Sequence, residues 1–211
     1  MTLTSSLRLT LLASALAAST LMSGCALLVG GAIVGSSMVA TDRRTSGTQL
    51  EDQSIEFKSA KRISDAIGER GHLNVTSYNR LVLLTGEVPT EADKSSVEEA
   101  IGRIENVRSV INEIGITAPS SIGTRSNDTL LTSKVKASMV DAKDVQAGAY
   151  KVVTERNVVY LMGRVSEREA NRGAEIARGV SGVAKVVKVF EVVTEGELAG
   201  TAPAPAAAPK P

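Results

Sequence analysis

Apolar and polar positions alternate over two stretches of the chain that share one pattern. They are Asn74-Val-Thr-Ser-Tyr-Asn-Arg-Leu-Val-Leu-Leu-Thr-Gly86-Glu-Val88 and Lys151-Val-Val-Thr-Glu-Arg-Asn-Val-Val-Tyr-Leu-Met-Gly163-Arg-Val165. In each, a half-polar strand meets a polar turn, Tyr78-Asn79-Arg80 or Glu155-Arg156-Asn157, and a more apolar strand follows. Setting Gly86 on Gly163 gives an offset of 77, which also places Val75 on Val152, Leu84 on Leu161 and Val88 on Val165. Self-similarity at a fixed offset is the signature of a repeated unit.

The flanks complete that unit. Helical spacing predicts a helix from Ile55 to Ile67 in the first copy and from Thr129 to Ala142 in the second. The second has a core stripe of Leu131, Val135, Met139 and Ala142. A further helix follows each strand pair, starting near Thr90 or Ser166. Ser166-Glu-Arg-Glu169 has the form of a capping box, and Thr90 with Asp93 a weaker version of it. These helices carry Val97, Ala100 and Ile101 in one copy and Ala170, Ala174 and Ala177 in the other. Val-rich strands, Val107 to Ile116 and Val183 to Val193, close the units.

The order αββαβ buries a three-stranded mixed sheet under two helices, an α+β fold. A unit of about 65 residues is marginal alone, so the two copies are expected to pack together. The resulting map is a leader at 1–24, tether and linker at 25–49, and a first domain at 50–118. A linker at 119–127, a second domain at 128–195 and a Pro/Ala spacer at 196–211 complete it.

Composition narrows the chemistry. With two Phe, three Tyr and no Trp, the cores must be built from Val, Ile, Leu and Ala. A net charge of +1 gives no global field toward nucleic acid. One Cys excludes an internal disulfide, and one His a conventional zinc site. The single His72 has no nucleophile or carboxylate arrangement around it and is read as a loop residue. Glu98-Glu99 and Glu167/Glu169 are spaced as solvated helix faces rather than a catalytic pair. Nothing points to an enzyme or a cofactor.

The Cys decides the compartment. Arg8, the apolar run Leu9 to Leu21 and the small pair Ser23-Gly24 have the three parts of a secretory signal. Leu21-Met22-Ser23-Gly24-Cys25 resembles the lipobox of bacterial lipoproteins, with Met22 where Leu is usual. That resemblance implies cleavage before Cys25 and a covalent lipid on it. Acyl chains contribute about 0.8 kcal/mol of membrane affinity per buried methylene, so the anchor would be permanent. Ala26, in place of the Asp that marks inner-membrane retention in such lipoproteins, points to the periplasmic face of the outer membrane. The Gly-rich stretch 26–40 is too short to span a bilayer and reads as a tether; the polar linker Thr41 to Gln49 follows it.

The repeat itself resembles the BON domain, a small periplasmic αββαβ module. The likeness rests on Leu81-Val-Leu-Leu-Thr-Gly86-Glu-Val88 and Val158-Val-Tyr-Leu-Met-Gly163-Arg-Val165. It also rests on Ile104-Glu-Asn-Val-Arg-Ser-Val110 and Val180-Ser-Gly-Val-Ala-Lys-Val186. Lipobox, tether and two such units together resemble the dual-BON outer-membrane lipoproteins. That resemblance implies anionic phospholipid binding through the second unit, a role in outer-membrane integrity, and enrichment at division sites.

Charge by unit fits this expectation. Residues 51–117 hold 8 Lys/Arg against 12 Asp/Glu, a net of −4, and residues 121–195 hold 12 against 9, a net of +3. A basic unit near a membrane gains about 1 kcal/mol per well-placed cation. On the second unit's first helix, Leu130 and Lys134 lie off the core stripe at i and i+4, with Lys136 nearby: an apolar wedge beside cations, the candidate lipid contact. The aligned positions in copy one, Ser54 and Lys58, lack the wedge. Gly86 and Gly163 are expected to be structural, at places where a side chain would clash. The competing reading is a protein-interaction adaptor for outer-membrane assembly machinery, using the acidic first unit or an open sheet edge.

Overall fold

The computed structural model describes residues 42–201. Cys25, the leader, the stretch 26–40 and the end of the Pro/Ala segment lie outside the described residues. No helix among the described residues is long and apolar enough to cross a membrane.

The first copy comprises α1 (Ser46–Ile67), β1 (His72–Tyr78), β2 (Leu81–Val88), α2 (Glu91–Gly102) and a third strand in two pieces, β3 (Ser109–Asn112) and β4 (Gly115–Ile116). The second comprises α3 (Ile122–Asp141), a 3₁₀ turn at Ala147–Ala149, β5 (Lys151–Glu155), β6 (Val158–Val165), α4 (Glu167–Arg178) and β7 (Lys185–Val192). A last helix, α5, spans Glu195–Thr201. In each copy the middle strand pairs antiparallel with the strand before it and parallel with the last one, so both sheets are mixed. Each copy is therefore αββαβ.

Four boundaries differ from the sequence-based map. Helix α1 starts at Ser46, well before Ile55, because Thr45 accepts the backbone N–H of Thr48 as N-cap. The expected linker Thr41 to Gln49 is thus helical from Ser46 onward. Helix α3 likewise starts at Ile122 rather than Thr129, capped by Ser121 on the N–H of Thr124, and it takes up most of the expected linker 119–127. The same Gly-Thr pair follows each cap, Gly47-Thr48 and Gly123-Thr124, so the repeat extends further than the strand motifs alone reveal. At the other end, the expected spacer from 196 begins as helix: Thr194 and Glu197 bond reciprocally as a cap, and Leu198 is buried. Finally, His72 is not in a loop but opens β1, half-buried and paired opposite Glu87.

Alternation along the middle strands explains how the copies pack. Val82, Leu84 and Val88 of β2 join Ile55, Val97 and Ile101 in the first core. Val159, Leu161 and Val165 of β6 join Val135, Met139 and Ala174 in the second. The opposite faces, Leu81 and Leu83 with Val158, Tyr160 and Met162, meet in a third cluster that also takes in Tyr78 and Val189. Successive strand residues point to opposite sides, so the two sheets lie face to face and the helices of each copy cover the outer sides. This α/β/β/α arrangement buries β2 and β6 on both faces, which is why both read as nearly continuous apolar runs.

Candidate functional site

The hairpin turns show how closely the two copies share their local chemistry. Asn79 and Arg80, and again Arg156 and Asn157, have positive φ, the two-residue turn that suits the twist of a hairpin. In the first copy Asp52 of α1 accepts the N–H groups of Asn79 and Arg80, both at 2.8 Å. In the second Asp128 of α3 accepts those of Arg156 and Asn157, at 2.8 and 2.9 Å. Both carboxylates are buried. They dock the first helix of each copy onto its hairpin and fix which helix face turns outward.

On α3 the face turned inward carries Leu131, Val135 and Met139, all buried, while Ala142 is half-buried just past the helix end. The opposite face carries Leu130, 63% exposed, and Val140, 57% exposed, with Ser133 and Ala137 between them. At about 100° per residue these four form one stripe, apolar but for Ser133, whose hydroxyl donates back to the Thr129 carbonyl at 3.0 Å. Lys134 flanks it on Leu130's side. Lys136 does not join Leu130 and Lys134; it flanks the stripe on the other side, about 80° from its centre. Both lysines are exposed, and neither has an acidic partner among the described residues. Sequence reasoning missed Val140, whose role shows only once the helix face is known.

The first copy carries an exposed apolar pair of its own, contrary to the expectation of no wedge there. Phe57 is 82% exposed and Leu50 69% exposed, at i and i+7 on the outer face of α1. The alignment of Ser54 with Leu130 could not find them, because Leu50 lies in the stretch expected to be linker.

The opposite charges of the two copies partly meet at their own seam. Lys151 bonds Glu56 at 2.8 Å, and Arg156 pairs with Glu87, which is fully buried. Burial pushes the Glu87 carboxyl up, but hydrogen bonds from Arg156 and the Ser120 N–H outweigh it and hold it below the usual range. Glu155, buried and accepting from Asn74 at 2.9 Å, is held above that range by its burial. His72 is held low by burial and by Arg125 nearby, and its Nδ1 stands 3.6 Å from Glu87. His72, Glu87 and Glu155 bring one potential metal-ligand atom each within 4.8 Å of one another. Glu87 is committed to Arg156 and Glu155 to Asn74, two bonds across the seam, while the buried Nδ1 of His72 has no hydrogen-bond partner among the described residues.

Glu169 departs from its expected solvated position. It completes the capping box with Ser166 and is buried, with both carboxylate oxygens accepting from Arg43. Gly86 and Gly163 sit two residues before the ends of β2 and β6. A Cβ on Gly86, whose φ is +110°, would stand 2.1 Å from the His72 carbonyl oxygen, and one on Gly163 2.3 Å from that of Ala149.

Comparison with known proteins agrees with the repeat. The BON domain model matches residues 51–118 and 127–194. The chain is 40% identical over 183 residues to the outer membrane lipoprotein DolP of Haemophilus influenzae, covering 85% of this chain and 94% of that one. It is 36% identical over 154 residues to the 21 kDa hemolysin of Actinobacillus pleuropneumoniae, covering 72% and 79%. It is 27% identical over 144 residues to the osmotically-inducible protein Y of Escherichia coli, covering 66% and 72%. Two BON domains across most of its described length, and this likeness to DolP, place the chain in the BON-domain family as a DolP-like, dual-BON outer-membrane lipoprotein.

Proposed function

We propose that this lipoprotein is anchored through an acylated Cys25 to the periplasmic face of the outer membrane. There it binds anionic phospholipid through the outer face of α3 and supports membrane integrity, with enrichment at division sites. The observation that carries the reading is the exposed stripe of Leu130, Ala137 and Val140 between the unpaired Lys134 and Lys136. Apolar side chains of that size enter the headgroup boundary, and lysines on both flanks reach the phosphates. The stripe faces away from the interdomain seam, so it is accessible in the packed pair of domains.

The test is binding of the unacylated mature protein to vesicles with and without anionic lipid. Preference for anionic vesicles, lost in Leu130→Glu, is the expected result; equal behaviour toward neutral and anionic vesicles would sink the reading. A second reading, a protein-interaction adaptor for outer-membrane assembly machinery, draws on the exposed Phe57 and Leu50 of the acidic first domain. It takes first place if the vesicles fail.

A further inference from the structure

Five arginines converge where the N-terminal segment crosses the seam between the domains. A cavity of about 540 Å³ is lined there by Arg43, Arg44, Arg80, Arg108 and Arg164, with Asp42 and Glu191 as its acids. Two of the five are already neutralised: Arg43 by Glu169, Arg44 by Asp42 and Asp52. Three remain, and two of them share a single carboxylate. Glu191 lies 3.2 Å from Arg108 and 3.6 Å from Arg164, and it also accepts from Asn79 at 2.6 Å. Arg80 is exposed and has no acidic partner among the described residues.

The same cavity holds Thr45 and Thr48, which open the 22-residue α1. No acidic residue stands in that helix's first turn to offset its positive end. Guanidinium forks and a helix N-terminus share one preferred ligand, a phosphate-type oxyanion. The volume suits a small phosphate-bearing group rather than a whole lipid.

We infer that this cavity is a binding site for a phosphate-bearing anion, held by Arg80, Arg108 and Arg164 with Glu191 as the group it displaces or shares. The site is distinct from the α3 stripe and does not rest on that reading. It draws its arginines from both domains, so occupancy requires the two sheets to be packed as described. A bound anion would in turn tighten that packing.

Calorimetric titration of the whole mature chain, with Cys25→Ser to prevent acylation, tests this with inorganic phosphate, glycerol phosphate and vesicles rich in phosphatidylglycerol. Arg80→Gln combined with Arg108→Gln is expected to weaken binding at least tenfold, and Glu191→Gln to tighten it several-fold by removing the competing carboxylate. Leu130→Glu should leave the soluble titrations unchanged. Circular dichroism melting controls for folding; Arg80→Gln alone, at an exposed side chain, serves if the double variant is unstable. Binding of inorganic phosphate that depends on Arg80 supports the site with free phosphate as its ligand. Dependence on Arg80 seen only with glycerol phosphate or vesicles supports it with a lipid headgroup. Absence of saturable binding to all three probes, or binding indifferent to Arg80 and Arg108, overturns it.

Discussion

Arg43 and Glu169 form a bidentate ion pair, at 2.7 and 2.8 Å, that joins the segment before the first domain to the second helix of the second domain. The same guanidinium donates to the Arg164 carbonyl at 2.9 Å and to Gln146 at 3.0 Å. The chain therefore enters the folded part strapped to the domain that is more distant in sequence.

Arg43→Ala is expected to cost about 3 kcal/mol, because it leaves a buried carboxylate without its partner. The hydrogen bonds from Arg43 hold the Glu169 carboxyl below the ordinary range, against its burial. A carboxyl depressed in the folded state stabilises above its unfolded pKa and loses that contribution as pH falls through the folded value. The wild type should thus lose stability below about pH 4 more steeply than the variant. Denaturant melts at neutral and acid pH check this: the gap between the proteins should narrow on acidification.

Asp52 and Asp128 do the same work on the two hairpin turns, but Asp52 also accepts from Ser77 and pairs with Arg44. Asp52→Ala should therefore destabilise more than Asp128→Ala, about 3 against about 1.5 kcal/mol. Equal losses in urea melts would mean that the turn amides alone account for both.

Gly86→Val should destabilise the first domain by several kcal/mol, well above the roughly 1 kcal/mol typical of point mutations. The added carbon meets backbone, not a flexible side chain, and the positive φ strains any Cβ residue. Gly163→Val should behave similarly through the Ala149 carbonyl. A normal melting temperature combined with lost function would make either glycine part of a site.

At the proposed lipid face, Leu130→Glu should weaken vesicle binding at every salt concentration, since it removes the wedge and adds a repelled charge. Lys134→Ala and Lys136→Ala should act mainly at low salt, where headgroup attraction is least screened. Val140→Glu should resemble Leu130→Glu. All four side chains are exposed, so melting curves should hardly move.

Cys25→Ala should release the protein from the outer membrane into the periplasm, read by fractionation. Unchanged membrane association would remove the anchor and shift weight to the apolar stretch 26–40.

What the amino-acid pattern determined by itself was most of what short-range periodicity and stereochemistry govern, though the early starts of α1 and α3 at the caps Thr45 and Ser121 escaped it. Alternation specified the strands, the turn residues their hairpins, Ser166 and Thr90 the helix starts, and the offset of 77 the duplication. The stripe Leu131, Val135 and Met139 was legible because helical spacing forces one face inward, and Leu130 was legible as its complement. The tertiary structure decided what depends on partners remote in the chain. Glu169 looked solvated because Arg43, 126 residues away, is invisible to local pattern. His72 looked like a loop residue because its strand is defined by pairing with β2. The charge difference between the domains was visible, but not that Glu56–Lys151 and Glu87–Arg156 consume part of it across the seam. The arginine cavity needs residues from the entry segment, a hairpin turn, the approach to β3 and two strands of the second domain. Such a site exists only after two sheets with both faces apolar have packed, since burial, not proximity in sequence, brings its charges together.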